Sequence, residues 1–230
     1  PGKRKTAGKK ISGNTKETGR MNIQFSEKAD RIQEGIFALL NEKKNELQAQ
    51  GKKIYNLSVG TPDFQPARHV MEAVSRAAMD PENYKYALED LPALLEAVRD
   101  FYQRRFGVKL ERDEIMSLYG SQEGMAHIGW MLCDPGDLVL VPNPGYPIFS
   151  VGPKLCDARV WEYPLLPENG FLPRLEDIPA EIAREAKLMI VNFPGNPVCK
   201  TAPDSFYREL IAFARKYEII ILHDNAYADL

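Results

Sequence analysis

Four short, nearly unbroken apolar runs limit what this chain can fold into: Ile115–Tyr119, Leu138–Val141, Leu188–Val191 and Ile219–Leu222. Each has the length of a strand, and none alternates apolar with polar residues. That pattern expects burial on both faces, as in a largely parallel sheet covered by helices. The segments between them carry helical spacing, at 122–132 and 203–217 for instance. Alternation of the two kinds of segment predicts a three-layer α/β domain. No internal repeat is present.

Upstream of the runs the pattern is helical. Ile32, Ile36, Leu39, Leu40 and Leu47 fall near helical spacing between Ala29 and Gln50, and Gly51 ends that stretch. A short extended piece, Ile54–Val59, leads into the turn-rich Gly60-Thr61-Pro62-Asp63. Helices are expected at 66–79 and 91–106. In the second, Asp90 is the expected N-cap, and Leu94, Val98 and Phe101 form the apolar face. The expected organisation is therefore a tail at 1–20, a helical arm at 21–64, and a sheet domain from 65 to 230.

Charge singles out the tail. Residues 1–20 hold seven basic side chains against Glu17 alone, whereas the whole chain of 230 residues carries a net charge of −2. A Lys/Gly/Thr-rich stretch of this kind has too little apolar surface to form a core and reads as disordered or non-native sequence ahead of Met21. A nucleic-acid-binding arm is the weaker reading, and no nucleic-acid partner is expected. The longest apolar runs fall well short of the roughly 20 residues needed to span a bilayer, so no membrane partner is expected either. Cys133, Cys156 and Cys199 have no C-x-x-C spacing and read as reduced thiols of a cytoplasmic protein. With three scattered histidines, they give no metal-site spacing.

Chemistry is expected at the carboxyl ends of the strands, where open α/β sheets bind their ligands. After Ile115–Tyr119 comes Gly120-Ser121-Gln122-Glu123-Gly124, opening a helix. Free N–H groups, a hydroxyl and the helix dipole there favour an anion such as phosphate, although a plain Ser cap explains the same residues. After Leu138–Val141, a proline-stiffened turn fixes Tyr146 at a set angle, suited to stacking on a flat ring or simply to packing. After Leu188–Val191, Asn196 precedes Pro197 and is biased to an extended backbone. After Ile219–Leu222 stands Asp224, a carboxylate at the end of an apolar strand, costly unless it meets a positive partner. A helix N-cap is the alternative there. The absence of G-x-G-x-x-G after the first strand argues against a dinucleotide fold.

Taken in order, these motifs resemble the class I/II aminotransferases of pyridoxal-phosphate fold type I, from about Met21 to Leu230. The subgroup of aspartate and LL-diaminopimelate aminotransferases is the most similar. The resemblance implies that Ser121 and Gln122 cradle the cofactor phosphate and that Tyr146 stacks on the pyridine ring. It also implies that Asn196 and Tyr227 bond the phenolic oxygen and that Asp224 pairs with the ring nitrogen. Gly60 resembles the glycine lying against the substrate carboxylate. Tyr86 resembles the tyrosine that reaches the phosphate of a partner subunit, which implies a homodimer with shared sites. Two departures stand out: Val198-Cys199 follows Asn196-Pro197 where many relatives have Thr-Gly, and Asp90 stands where a glycine is frequent. No lysine here matches the one that forms the Schiff base. The family places it, with the arginine for the substrate α-carboxylate, beyond Leu230, so the chain is expected to be an N-terminal fragment without catalytic residues of its own. The implied activity of the parent is transfer of an amino group from an L-amino acid to a 2-oxo acid. A C–S lyase of the same fold, or a non-catalytic cofactor-binding fragment, is the alternative.

Overall fold

A computed structural model describes residues 24–31, 36–57, 60 and 64–230. The expected tail at 1–20 and the turn residues Thr61, Pro62 and Asp63 lie outside these. The elements run α1 (Glu27–Arg31), α2 (Ile36–Ala49), α3 (Arg68–Ala78), α4 (Pro92–Phe106), α5 (Ser121–Leu132), β1 (Leu138–Asn143), α6 (Ile148–Leu155), β2 (Arg159–Pro164), α7 (Ala180–Glu185), β3 (Ala186–Asn192), α8 (Asp204–Tyr217) and β4 (Ile220–Asp224), with short 3-10 turns between some of them. No described helix is long and apolar enough to cross a membrane.

The four strands form one sheet in the order β2-β1-β3-β4, with every neighbouring pair parallel. Its two central strands explain the unbroken apolar runs. In β1, Val139 and Val141 face one layer while Leu138 and Leu140 face the other, and all four are at most 3% exposed. In β3, Leu188 and Ile190 share the first layer, and Met189 and Val191 the second. Met125 of α5 with Ile148 and Phe149 of α6 close the first layer. Phe206 and Leu210 of α8 close the second. Burial of this kind is worth roughly 1.5–3 kcal/mol per large apolar side chain.

β2 and β4 lie at the edges and are more polar or more open. Arg159 and Glu162 of β2 are exposed, and Pro164 ends the strand where no further ladder is required. A search for continuous apolar runs passes over β2 for this reason.

Two expectations are corrected. Ile115–Tyr119 forms no strand: it has no ladder partner among the described residues, and Tyr119 is fully exposed. An apolar run becomes a strand only where another edge offers hydrogen bonds. This segment is tethered instead by its neighbours: Glu123 accepts from the Tyr119 N–H at 2.7 Å, and Asp90 takes both the backbone N–H and the hydroxyl of Ser117. That use of Asp90 is the second correction. It does not cap α4, whose N-cap is Leu91, with Pro92 supplying the helical φ at the first position. The two bonds from Ser117 hold the Asp90 carboxyl below the usual aspartate range.

α5 and α6 approach through small residues. A Cβ on Gly152 would stand 2.3 Å from the Met125 carbonyl oxygen, and one on Gly129 would stand 2.9 Å from Cys156 Sγ. Gly152 faces backbone, which cannot move without shifting α5. Gly152→Ala is therefore expected to cost about 1–3 kcal/mol, in the range of overpacked cores, read as a lowered midpoint in urea denaturation. An unchanged midpoint would contradict the close contact.

Candidate functional site

The carboxyl ends of β1, β3 and β4 point to the same side of the sheet, and the N-terminus of α5 comes up beside them. Between them lies a cleft of about 570 Å³, lined by residues of α5, by Asn192 and Asp224 at the ends of β3 and β4, and by Tyr146 and Ile148 after β1. Its position outside the strand ends is the one a parallel sheet favours, because the chain turns there without interrupting the ladder.

One corner is formed by the start of α5. Gly120 holds φ +90°, a conformation that L side chains rarely adopt, and it turns the chain into the helix. Ser121 and Gln122 then occupy the first two helical positions, where backbone N–H groups lack an intrahelical acceptor. Ser121 is not the N-cap, and no side chain caps this end. Glu123, in the same turn, is engaged by the Tyr119 N–H. The corner thus offers N–H donors, the Ser121 hydroxyl and the positive end of the helix dipole, a set that suits a phosphate-like anion.

A second wall is Tyr146. The turn after β1 is tight: a Cβ on Gly145 would fall 2.4 Å from the Pro142 carbonyl oxygen, so only glycine fits. The half-buried Tyr146 ring packs edge-on against Phe149 with centroids 6.1 Å apart, and its hydroxyl donates to Gln122 Oε1 at 3.5 Å. A ring held by both neighbours keeps a fixed plane for a flat ligand.

The floor comes from the ends of β3 and β4. Gly195 is confined like Gly145, with a Cβ position 2.6 Å from the Asn192 carbonyl oxygen. Next in sequence, the Asn196 amide donates to the Tyr227 hydroxyl at 3.4 Å. Together they can offer donors to an oxyanion. Asp224, the last residue of β4, is half-buried. Burial pushes its carboxyl above the usual aspartate range, opposed by the Ala226 N–H and the nearby His223. No Lys or Arg among the described residues contributes to its environment. A cationic group of a ligand would supply the missing partner.

The cleft therefore gathers Gly60, Ser121, Gln122, Tyr146, Asn196, Asp224 and Tyr227 of the residues singled out in the sequence. Tyr86 does not join them. It sits in the loop before α4 with 89% of its surface exposed. Met125, Ile148 and Ala226 line the cleft without having been anticipated, and so does Asn192. Asn192 carried a signal: it is polar, ends a buried apolar strand, and is 6% exposed. Cys199 is exposed, with a left-handed φ of 54°. Among the described residues no group of three or more His, Cys, Asp or Glu could hold a metal.

The family model for aminotransferase class I and II matches residues 52–230. Among curated proteins, the LL-diaminopimelate aminotransferase of Dehalococcoides mccartyi (strain CBDB1) is 38% identical over 210 residues, covering 90% of this chain and 54% of that protein. The LL-diaminopimelate aminotransferase of Moorella thermoacetica is 43% identical over 197 residues, covering 85% and 50%. Among solved structures, substrate-bound BacF from Bacillus subtilis superposes with a TM-score of 0.82 at 34% identity, covering 89% of this chain and 52% of that one. The chain spans about half the length of the curated relatives it matches.

The raised Asp224 carboxyl has a consequence for stability. A folded-state pKa above the unfolded one means that the folded protein is favoured below the unfolded value and loses that advantage as pH rises through the folded value. At neutral pH the ionised, half-buried carboxylate is therefore a cost in the ligand-free protein. Asp224→Asn is expected to raise the ligand-free melting temperature at pH 7. The gain should stay under about 1 kcal/mol, because half the group remains open to water, and it should shrink toward pH 4. A lower melting temperature at pH 7 would contradict this account.

Proposed function

The chain belongs to the class I and II aminotransferases, and from that premise we propose that it forms the cofactor-binding part of a pyridoxal-phosphate-dependent aminotransferase acting on an L-amino acid and a 2-oxo acid. The observation carrying this reading is the half-buried Asp224 carboxylate, to whose environment no Lys or Arg among the described residues contributes, set in one cleft with an anion-binding helix start and a fixed aromatic ring. Pyridoxal phosphate has the complementary groups: a phosphate, a flat ring, a protonatable ring nitrogen and a phenolic oxygen.

In this reading the start of α5, with Ser121 and Gln122, binds the phosphate and sets the depth of the ring in the cleft. Tyr146 lies against the ring and holds its plane. Asn196 and Tyr227 donate hydrogen bonds to the phenolic oxygen and favour its charged form. Asp224 keeps a proton on the ring nitrogen through a charge-assisted hydrogen bond, which in turn favours its own ionised state. The bound cofactor would act as the electron sink that makes the substrate α-carbon acidic. Gly60, bare of a side chain at the cleft margin, leaves room for a substrate carboxylate against the backbone.

The lysine that anchors the cofactor and moves the proton is assigned to the half of the relatives that this chain does not span, together with the arginine for the α-carboxylate. Residues 21–64 would belong to an arm joining the smaller domain of the whole protein, and residues 65–230 to the cofactor domain. The exposure of Tyr86 and its absence from the cleft lining support a role at a second subunit, in a homodimer with shared sites. A cytoplasmic location accords with the three free cysteines. The relatives' names make LL-diaminopimelate the first amino donor to test, with aspartate and glutamate beside it.

In the full-length protein, Asp224→Ala is expected to lower kcat by at least about 100-fold, the size of losing one electrostatic contact to the reacting system, while cofactor affinity falls far less. Equal loss of both would reduce Asp224 to a structural residue. The unmutated full-length protein should sediment as a dimer; a fully active monomer would contradict the role given to Tyr86.

A further inference from the structure

Asn192 is buried, polar and unused by the chemistry above, yet all of its hydrogen-bonding groups are engaged. Its Oδ1 accepts the Asn196 backbone N–H at 2.8 Å. Its Nδ2 donates to the Asp224 carbonyl oxygen at 2.9 Å and to the Pro194 carbonyl oxygen at 3.3 Å. One planar amide thus ties together the turn after β3 and the last residue of β4, 32 positions further along the chain. A second tie runs the opposite way, with His223 Nε2 lying 2.9 Å from the Phe193 carbonyl oxygen.

We infer that Asn192 is a positioning residue: its amide sets Asn196 and Asp224 in one frame, so that the donor to the phenolic oxygen and the partner of the ring nitrogen keep a fixed separation. The inference rests on the functional reading above and adds to it a residue that touches neither group. The geometry argues against a role in packing alone. An apolar residue would fill the same space, whereas the three acceptor and donor contacts fall on just the two segments that carry Asn196 and Asp224. At the end of β3 the ladder itself pairs Asn192 with Asp224. Beyond that pair the backbone has no further ladder, and the side chain takes over the task of holding the two turns together. Asparagine suits it because donor and acceptor lie in one rigid plane. Aspartate would keep the acceptor and lose both donors.

The test uses the full-length protein loaded with pyridoxal phosphate, following the pH midpoint of the bound cofactor's visible absorption change. Asn192→Ala is expected to raise that midpoint by about one pH unit, because a loosened Asn196 no longer favours the charged phenolic oxygen. Tyr163→Phe is the control. It removes an equally buried bond to β3, from the Tyr163 hydroxyl to the Ile190 carbonyl oxygen at 2.5 Å, and neither residue lines the cleft. It should lower stability and leave the midpoint in place. If Asn192→Ala does not accumulate, Asn192→Ser, too short to span both turns, is expected to give the same shift. Midpoints unchanged in the asparagine variants, or shifted equally by Tyr163→Phe, would overturn the inference. A wild-type protein that develops no visible band with the cofactor would instead overturn the functional reading on which it rests.

Discussion

Burial of β1 and β3 on both faces is the constraint from which the rest of the structure follows. Val139 and Val141 can leave water only if α5 and α6 lie over them, and Met189 and Val191 only if α8 lies beneath. Helices on both faces require crossover connections, crossover connections make the strands parallel, and parallel strands end on one side. The turns after β1, β3 and β4 therefore meet the start of α5 at a single cleft. The cleft is a by-product of how the core is covered, and its chemistry is written in residues the core does not need.

Those residues oppose stability locally. Asp224 is half-buried with its carboxyl pushed up by burial, Gly120 holds a left-handed conformation, and Gly145 and Gly195 exist where a Cβ would strike backbone. The glycines answer to the turns that carry them; the Asp224 carboxyl and the open helix start at Ser121 fit the proposed ligand, which would bring a cation to one and an anion to the other. The cost of the carboxylate in the ligand-free state and its value in the loaded one are the same electrostatics seen with and without a partner.

How much of this was legible in the sequence depends on which forces act locally. Leu138–Val141 and Leu188–Val191 were readable because continuous apolar strands mean two covered faces, a property of the run itself; Ile219–Leu222 was readable as a strand by the same pattern, although at the sheet edge Ile220 stays 45% exposed. β2 was not, since an edge strand with Arg159 and Glu162 has no such signature. Ile115–Tyr119 misled, because apolar content predicts burial but not the presence of a partner edge. Asp90 misled in the same way: a residue before a helix is a candidate cap, and only the fold reveals that Ser117 is within its reach. At the site, the motifs at the strand ends were visible one by one, and their order carried the family resemblance. Asn192 carried only the signal of a polar residue at the end of an apolar run, which does not name a role. The role inferred for it rests on a contact across 32 positions that no local pattern encodes.

The central claim is that one cleft holds one cofactor in one orientation, with Asp224 and the start of α5 at opposite ends of it. A crystal structure of the full-length protein grown with pyridoxal phosphate tests this most directly. The account predicts the phosphate at the first turn of α5, the ring against Tyr146, and the ring nitrogen about 2.7–3.0 Å from an Asp224 carboxylate oxygen. Cofactor bound elsewhere, or turned so that its phosphate lies near Asp224, would contradict it.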